Sequence, residues 1–219
     1  MAIREDGINT REKSLKAASE VFAKKGYRNA TAAEICQRAG SNVAAVNYYF
    51  GSKDTLYMIV WRNAFDQALR AYPPDRGLPP DAPAEQRLRA LIHFNLHRVL
   101  DAGRLGHAER ILMWEMSDPT EAIRSVLRDI IRPLRERTRT VIKRLLGPKA
   151  RDQEIGFCEM SVIHQCLAMG FRRGNLPPST VRSKGKPTPE LMDALAEHIT
   201  CFSLAGIKVV RENIGVGSA

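Results

Sequence analysis

Hydrophobic residues recur at spacings of three and four positions through most of this chain, and this periodicity is the strongest constraint on its fold. Leu15, Ala18 and Phe22 form one such stripe in the first candidate helix. The alternation of apolar and polar residues that is typical of half-buried strands is hard to find. The pattern therefore predicts an all-α fold.

Turn and capping residues divide the chain into successive helices. The predicted helices cover, approximately, residues 10–25, 31–40, 43–48, 53–72, 84–102, 104–117, 119–131, 132–146, 151–173 and 189–214. Pro119 is expected at a first helical position, and Pro133 is expected to begin or bend a helix. The prolines of "AYPPDRGLPPDAP", residues 71–83, predict a domain boundary, and a basic loop, "GNLPPSTVRSKGKPTP", separates the last two helices.

Residues 31–50 have the features of two short helices joined by a tight turn. Thr31 and Glu34 have the spacing of a capping box, in which the hydroxyl accepts an amide and the carboxylate reaches back to the cap. Gly40 is suited to end the first helix, and Asn42 is suited to cap the second. Such a pair is a helix-turn-helix motif, whose second helix enters the major groove of DNA.

The second helix of this motif, within "SNVAAVNYYFGSK", carries side chains that suit a DNA groove. Val46 and Phe50 are spaced to face inward. Alanines allow close approach and contact thymine methyl groups, asparagine pairs with adenine, and tyrosine and lysine bind phosphate oxygens. The predicted DNA-binding residues are Thr31, Asn42, Val43, Ala44, Ala45, Asn47, Tyr48, Tyr49 and Lys53. The alternative is that the tyrosines pack the small domain and that Lys53 is solvated.

Charge and composition agree with a nucleic-acid partner. The formal net charge is +10 and the pI is about 9.8, which favours a polyanion. The N-terminal residues lack the apolar segment of a signal peptide, and no apolar run is long enough to span a bilayer, so a cytoplasmic location is expected. The four cysteines, Cys36, Cys158, Cys166 and Cys201, lack the spacing of a metal or disulfide framework and are expected to be buried, reduced thiols.

From Thr10 to Tyr57 the chain resembles the DNA-binding domain of the TetR family of bacterial regulators, on the residues "SLKAASEVFAKKGYRNATAAEICQRAGSNVAAVNYYFGSKDTLY". Family members typically have a tyrosine in place of Asn47 and often a small hydrophobic residue in place of Ser41. "AERILMWEMSDPTEAIRSVLRDIIRPL", residues 108–134, and "HQCLAMGFRR" are similar to the CecR-like branch. The resemblance implies a DNA-binding domain at residues 1–54 and an effector-binding and dimerisation domain at residues 55–219.

An effector cavity in a helical bundle is expected to be mostly apolar with a few polar groups. The candidate effector-binding residues are Phe94, His97, Arg110, Met113, Trp114, Met116, Met160 and His164. Residue by residue, an ordinary place in the core is the simpler alternative. His93 and His97 have metal-ligand spacing on one helix, but no cluster supplies further ligands, so neither a metal nor another cofactor is expected.

The last two helices carry apolar stripes that predict a two-fold symmetric dimer interface. Its candidate residues are Phe157, Val162, Leu167, Leu191, Leu195, Ile199 and Phe202. A dimer with two recognition helices is then expected to prefer a palindromic operator. The predicted function is a sequence-specific transcriptional repressor that a small-molecule effector releases from DNA.

Two other functions are alternatives to this prediction. One is an architectural protein that binds DNA without sequence preference. The other is a small helical enzyme in which His97 and Glu115 act as an acid/base pair. No phosphate-binding glycine loop, nucleophile elbow or metal cluster is present in the sequence to support an enzyme.

Overall fold

The computed structural model describes residues 2–101, 103–171 and 187–216, and the regular elements within these ranges are all helical, as predicted. The α-helices are α1 (Ala2–Asn29), α2 (Ala32–Ala39), α3 (Val43–Phe50), α4 (Lys53–Ala71), α5 (Ala84–Leu100), α6 (His107–Ser117), α7 (Arg124–Val126), α8 (Arg132–Leu146), α9 (Asp152–Phe171) and α10 (Pro189–Val216). Two 3₁₀ turns occupy Arg104–Gly106 and Glu121–Ile123, and Leu127–Ile131 is π-helical.

The chain forms two compact units. The first comprises Met1–Arg70 and Gly103–Asp129, and the second comprises Ala71–Ala102 and Ile130–Ala219. The chain first passes between them at Ala71, where the proline-rich stretch begins. The first unit thus contains α4 and α6 as well as the helix-turn-helix, whereas the functional boundary between residues 54 and 55 stays a prediction.

The core of the first unit is built from aromatic side chains. In this unit α1 packs against α2, α3 and α6. Phe22, Tyr57, Trp61 and Phe65 are fully buried, and the rings of Trp61 and Phe65 stack with centroids 4.8 Å apart. Trp61 Nε1 donates a hydrogen bond of 2.9 Å to the carbonyl of Ala108, so the buried indole N–H is satisfied.

The second unit is a bundle in which α5, α8, α9 and α10 all pack against one another. Its core includes Leu88, Ile92, Leu96, Ile142, Leu146, Val162, Cys166, Ala196 and Ile199. A buried carboxylate, Glu159, is held by Arg135 at 2.6 Å and by Arg139 at 3.1 Å. Burial alone raises the pKa of Glu159, but these two arginines outweigh burial and hold the pKa below its ordinary value.

Two predicted helices differ from the structure. The first begins at Ala2 rather than near Thr10, and Gly26 interrupts it with φ +73° and ψ −177°. In place of one helix over 119–131 there are a 3₁₀ turn, one α-helical turn and a π-helical segment. The prediction for Pro119 is therefore wrong, whereas Pro133 lies in the first turn of α8, as predicted. Residues 172–173 and most of the predicted basic loop lie outside the described residues.

The cysteine prediction is partly wrong. Cys36, Cys158 and Cys166 are buried, free thiols, but Cys201 is exposed because α10 directs it away from the core. A hydrogen bond from Cys201 to Glu197 raises the pKa of this thiol.

Candidate nucleic-acid interface

The short helix α3 is capped at both ends, and its N-cap is the residue that the sequence predicts. Asn42 Oδ1 accepts the amide of Ala45 at 2.8 Å, and Asn42 adopts the extended backbone of an N-cap. At the other end, the amide of Gly51 donates to the carbonyl of Asn47 at 2.8 Å. These caps let an eight-residue helix begin and end at defined positions.

One face of α3 is buried and the other is exposed. Val46 and Phe50 are each 4% exposed, which confirms that they face inward. Val43, Ala44, Asn47 and Tyr48 are exposed, and Tyr48 is 83% exposed. Ala45 and Tyr49 are half-buried. A large aromatic residue so exposed on a firmly capped helix is available to a partner surface.

The turn between α2 and α3 is as tight as predicted. Gly40 ends α2 in a left-handed conformation with φ +63°, and the amide of Ser41 donates to the carbonyl of Cys36 at 3.0 Å. The hydroxyl oxygen of Ser41 is buried and lacks a hydrogen-bond partner among the described residues. Ser41 thus occupies a position that suits a small apolar side chain.

The capping box at the start of α2 is only half formed. Thr31 Oγ1 accepts the amide of Glu34 at 3.2 Å, as predicted. The Glu34 carboxylate does not reach back to the cap but binds the Lys25 ammonium at 2.6 Å. An ion pair from α1 therefore replaces the second bond of the box and ties α2 to α1.

Among the predicted phosphate-binding residues, Lys53 lies in the first turn of α4 and contacts an aromatic ring. Lys53 Nζ lies 4.3 Å from the ring centroid of Tyr27, and partial burial lowers the pKa of Lys53. The hydroxyl of Tyr27 donates to Asp54, and this bond, with burial, raises the pKa of Tyr27 to about 12. Lys53 is thus held at the first turn of α4, where its ammonium and nearby helix amides favour an anion.

The sequence prediction missed the early turns of α1. A side-chain carbon added at Gly7 would lie 3.0 Å from the Tyr49 hydroxyl, and the Arg11 guanidinium lies 5.5 Å from the ring centroid of Phe50. A cleft of about 510 Å³ beside α1 is lined by Asn9, Arg11, Glu12, Lys13, Leu15, Lys16, Asn63, Gln67 and Arg104. The basic run "TREKSLK" was the available signal, and it places positive charge beside α3.

Comparison with known proteins decides the family. The family model described as "Bacterial regulatory proteins, tetR family" matches residues 15–58. The model described as "HTH-type transcriptional dual regulator CecR, C-terminal domain" matches residues 84–207, more than half of the chain. The chain belongs to the TetR family, in its CecR-like branch.

Individual relatives agree with this assignment. The chain is 28% identical over 179 residues to the HTH-type transcriptional dual regulator CecR of Shigella flexneri, which covers 77% of this chain and 78% of that protein. It is 38% identical over 88 residues, 39% of each chain, to the HTH-type transcriptional repressor NicS of Pseudomonas putida. A TetR-like regulator from Rhodococcus sp. RHA1 shares the fold, with a TM-score of 0.67 at 18% identity over 90% of this chain and 95% of that one. The chain is therefore a DNA-binding, TetR-family transcriptional regulator.

In this TetR-family chain, Trp114 of α6 packs against α1. A side-chain carbon at Gly26 would lie 3.1 Å from the Trp114 ring, and Trp114 Nε1 donates to the carbonyl of Ala23 at 3.4 Å. On the same helix, Glu115 is buried and accepts a hydrogen bond of 2.6 Å from Tyr57 of α4. Helix α6 is thereby tied to both α1 and α4. The effector role that the sequence assigns to Trp114 stays a prediction.

The other candidate effector residues of α5 and α6 have varied surroundings. Phe94 is buried and His97 is half-buried, with its ring stacked on Tyr72 at a centroid distance of 4.6 Å. Arg110 donates to the carbonyl of Gly103 at 2.8 Å. Met113 is half-buried and Met116 is exposed. A cleft of about 520 Å³ between α5 and α8 is lined by other residues, among them Leu91, Val141, Arg137 and Arg144.

The exposed face of α9 carries two residues predicted to bind effector and one predicted to lie in the dimer interface. Met160 and His164 were predicted to bind effector, but they are exposed and lie three and seven positions after the exposed Phe157. His164 Nδ1 lies 2.8 Å from the carbonyl of Met160. These three residues share one outward row, since residues three, four and seven apart lie on one helix face.

The candidate dimer residues divide into exposed and buried sets. Phe157 is 57% exposed and Phe202 is 65% exposed. Leu167, Leu191 and Leu195 are half-buried. Val162 and Ile199 are each only 2% exposed, because they pack in the core of their own subunit. Val162 and Ile199 are therefore core residues and not dimer contacts. The interface prediction is kept for the exposed candidates, Phe157 and Phe202.

Neither a metal-ligand cluster nor a membrane-spanning helix occurs among the described residues. Within the described ranges, no three or more His, Cys, Asp or Glu side chains are grouped as metal ligands. Among the same residues, no helix is long and apolar enough to cross a membrane.

Proposed function

We propose that this TetR-family regulator is a homodimeric repressor, released from a palindromic operator when a small molecule binds its second unit. The observation that carries the proposal is the capped helix α3, which presents Val43, Ala44, Asn47 and Tyr48 on one exposed face. A buried opposite face and fixed ends hold these side chains as a single rigid surface. Such a surface fits the major groove.

The proposed contacts fall into two kinds. Asn47 and the small residues Val43, Ala44 and Ala45 read base edges. Thr31, Asn42, Tyr48, Tyr49 and Lys53 bind the phosphate backbone. The net charge of +10 strengthens both specific and nonspecific association.

The proposed dimer joins α9 and α10 to the same helices of a second subunit. Phe157 and Met160 of α9, with Phe202 and Val209 of α10, are each more than half exposed. Large apolar side chains exposed in this number favour a protein interface. His164 belongs to the same face of α9, so we assign Met160 and His164 to the interface rather than to an effector cavity.

Effector release requires that ligand binding and operator binding oppose each other reciprocally. A ligand that binds both forms equally shifts nothing. Helix α6 is tied to α1 and α4 through Trp114 and Glu115, so a displacement of α6 or α4 displaces the helix-turn-helix as well. The name of the relative NicS, a repressor, supports the proposed sign of regulation.

The test is selection of duplexes from a randomised library at physiological salt, with nonspecific competitor DNA present. We expect enrichment of an imperfect palindrome. Lys53→Ala should weaken binding to all duplexes and lower the salt dependence by about one counterion, whereas Asn47→Ala should relax the preference at one base pair in each half-site. Lys149→Ala, an equal loss of charge at an exposed site of the second unit, is the matched control.

Two results would contradict the proposal. If no sequence is enriched and every duplex binds with the same steep salt dependence, the protein is an architectural DNA-binding protein. If Asn47→Ala and Lys53→Ala leave affinity and preference unchanged, α3 is not the recognition helix.

A further inference from the structure

Helix α1 bends near its C-terminal end. Gly26 has φ +73° and ψ −177°, a backbone conformation that is essentially confined to glycine. Because of this bend, Tyr27 does not follow the helical path of the residues before it. The Tyr27 side chain is half-buried, and it lies outside the helix-turn-helix of residues 31–50. Its contacts show what the bend achieves.

Tyr27 contacts two successive residues in the first turn of α4. Lys53 Nζ lies 4.3 Å from the centroid of the Tyr27 ring, within the range of a cation–π contact. The Tyr27 hydroxyl donates a hydrogen bond to the carboxylate of Asp54. The hydrogen bond fixes the ring, and the ring restricts the positions open to the Lys53 ammonium. Lys53 is thus ordered by a residue of α1.

The residues on either side of Tyr27 contact the C-terminal half of α6. The Trp114 ring packs on Gly26 so closely that an added side-chain carbon would lie 3.1 Å from the ring. Trp114 Nε1 also donates to the carbonyl of Ala23 at 3.4 Å. Arg28 forms an ion pair of 2.5 Å with Asp118, the residue that follows α6. The bend in α1 is therefore held against α6.

A buried path also joins Tyr27 to α6. The Tyr27 ring lies 5.0 Å from the ring of Tyr57, measured between centroids, in an edge-to-face arrangement. Tyr57 is fully buried and donates a hydrogen bond of 2.6 Å to the buried carboxylate of Glu115 in α6. Tyr27 is thus packed between elements that α6 holds and the lysine at the start of α4.

We propose that Tyr27 is a positioning residue that couples α6 to the phosphate-binding Lys53. While α6 holds the bend in α1, the Lys53 ammonium is ordered before DNA arrives, so binding avoids part of the cost of immobilising a long side chain. A displacement of α6 frees Tyr27, and Lys53 with it. The inference rests on the phosphate contact that the proposed function assigns to Lys53, and it adds a route from α6 to DNA through the end of α1.

The first experiment observes Lys53 by NMR in the absence of DNA. The lysines of the full-length protein are dimethylated with ¹³C-formaldehyde, which keeps their charge, and Lys53→Arg identifies the Lys53 signal. The ring of Tyr27 should displace this signal from those of exposed lysines. Tyr27→Leu should return the signal to their position, whereas Tyr27→Phe, which keeps the ring, should leave it displaced. A Lys53 signal that is the same in Tyr27→Leu and the unchanged protein would overturn the proposal.

The same signal tests whether α6 acts through Tyr27. Trp114 is 42% exposed, so Trp114→Leu removes its ring from Gly26 without emptying the core. We expect this substitution to move the Lys53 signal, and to have no further effect on it once Tyr27→Leu is present. Ser117→Ala, at an exposed position of α6, is the control and should leave the signal in place. An unmoved signal in Trp114→Leu, or an equal movement with and without Tyr27, would contradict the coupling.

The second experiment measures binding to one duplex of fixed sequence at physiological salt, since a phosphate contact does not depend on sequence. Tyr27→Leu should weaken binding about 2- to 10-fold, the cost of immobilising one long side chain, and Tyr27→Phe should bind as the unchanged protein does. In Lys53→Ala, Tyr27→Leu should have no further effect, because the side chain that it orders is absent. Equal weakening with and without Lys53 would refute the positioning role.

The outcomes separate this inference from the proposed function. If Lys53→Ala leaves DNA binding unchanged, the phosphate contact that the proposed function assigns to Lys53 is wrong. If Lys53→Ala weakens binding but Tyr27→Leu does not, the phosphate contact stands and the coupling through Tyr27 is wrong.

Discussion

At the scale of single residues, Ser41 departs from the TetR-family pattern. The structure shows why a small hydrophobic residue suits this position better. Family members often have a small hydrophobic residue at this position, and the Ser41 hydroxyl is indeed buried without a partner among the described residues. A buried hydroxyl that makes no hydrogen bond is less favourable than a methyl group of similar size. The side chain faces the protein, so its polarity opposes folding rather than reading DNA.

We predict that Ser41→Ala raises the free energy of unfolding by about 1 kcal/mol. Chemical denaturation of the two proteins measures the difference. Ser52→Ala is the matched control, because the Ser52 hydroxyl accepts the amide of Thr55 at 3.1 Å and caps α4. That substitution should lower the free energy of unfolding by about 1 kcal/mol. If Ser41→Ala is also destabilising, the Ser41 hydroxyl makes a hydrogen bond that stabilises the folded protein.

At the scale of helices, the N-cap of α3 is a position where helix stability and DNA binding can be changed independently. Asn42 caps the helix through Oδ1, and it is also a candidate phosphate contact. Aspartate caps a helix as well as asparagine does, and its charge favours the helix N-terminus, but the same charge repels phosphate. Substitution at this one position can therefore change DNA binding without changing the helix.

We predict that Asn42→Asp keeps the melting temperature within a degree or two and weakens operator binding about tenfold or more, because like charges across an interface are unfavourable. Asn42→Ala should instead cost about 1 kcal/mol of stability through loss of the cap. Thermal denaturation and operator titration of both variants provide the measurements. Full operator affinity in Asn42→Asp would place the N-terminus of α3 away from the phosphates.

The helices also show what the sequence could and could not predict. The caps Thr31, Asn42 and Gly40 and the inward Val46 and Phe50 follow local rules, and the structure has them as predicted. The extension of α1 from Ala2 lacks an apolar stripe that would have revealed it. The π-helical segment before Pro133 was equally hidden: the proline ring crowds the carbonyl four residues earlier, and the wider π-helical turn relieves that contact.

The sequence also could not predict which apolar side chains of the bundle are buried within one subunit. Periodicity places Val162, Ile199, Phe157 and Phe202 on apolar faces of their helices. It could not separate the face that packs inside the subunit from the face that remains exposed, because both are apolar. Only the three-dimensional packing assigns Val162 and Ile199 to the core.

At the scale of the whole molecule, the proposed dimer interface at the exposed aromatic residues of α9 and α10 would connect assembly to DNA binding. Phe202 is 65% exposed and Phe157 is 57% exposed, a costly arrangement for an isolated subunit. A two-fold interface through these residues would cover them and bring two α3 helices to one operator. Binding two half-sites together exceeds the affinity for one half-site by about 10²- to 10⁴-fold.

We therefore predict that Phe202→Glu converts the protein to a monomer of 24.5 kDa and weakens binding to a palindromic operator by about 10²- to 10⁴-fold. Sedimentation equilibrium gives the mass, and operator titration gives the affinity. The helical content should not change, because the Phe202 side chain is largely outside the core of its own subunit. Lys208→Glu, an exposed position on another face of α10, is the control and should remain dimeric. If Phe202→Glu is still a dimer with full operator affinity, subunits associate through a different surface, and the spacing of the two recognition helices must be sought there.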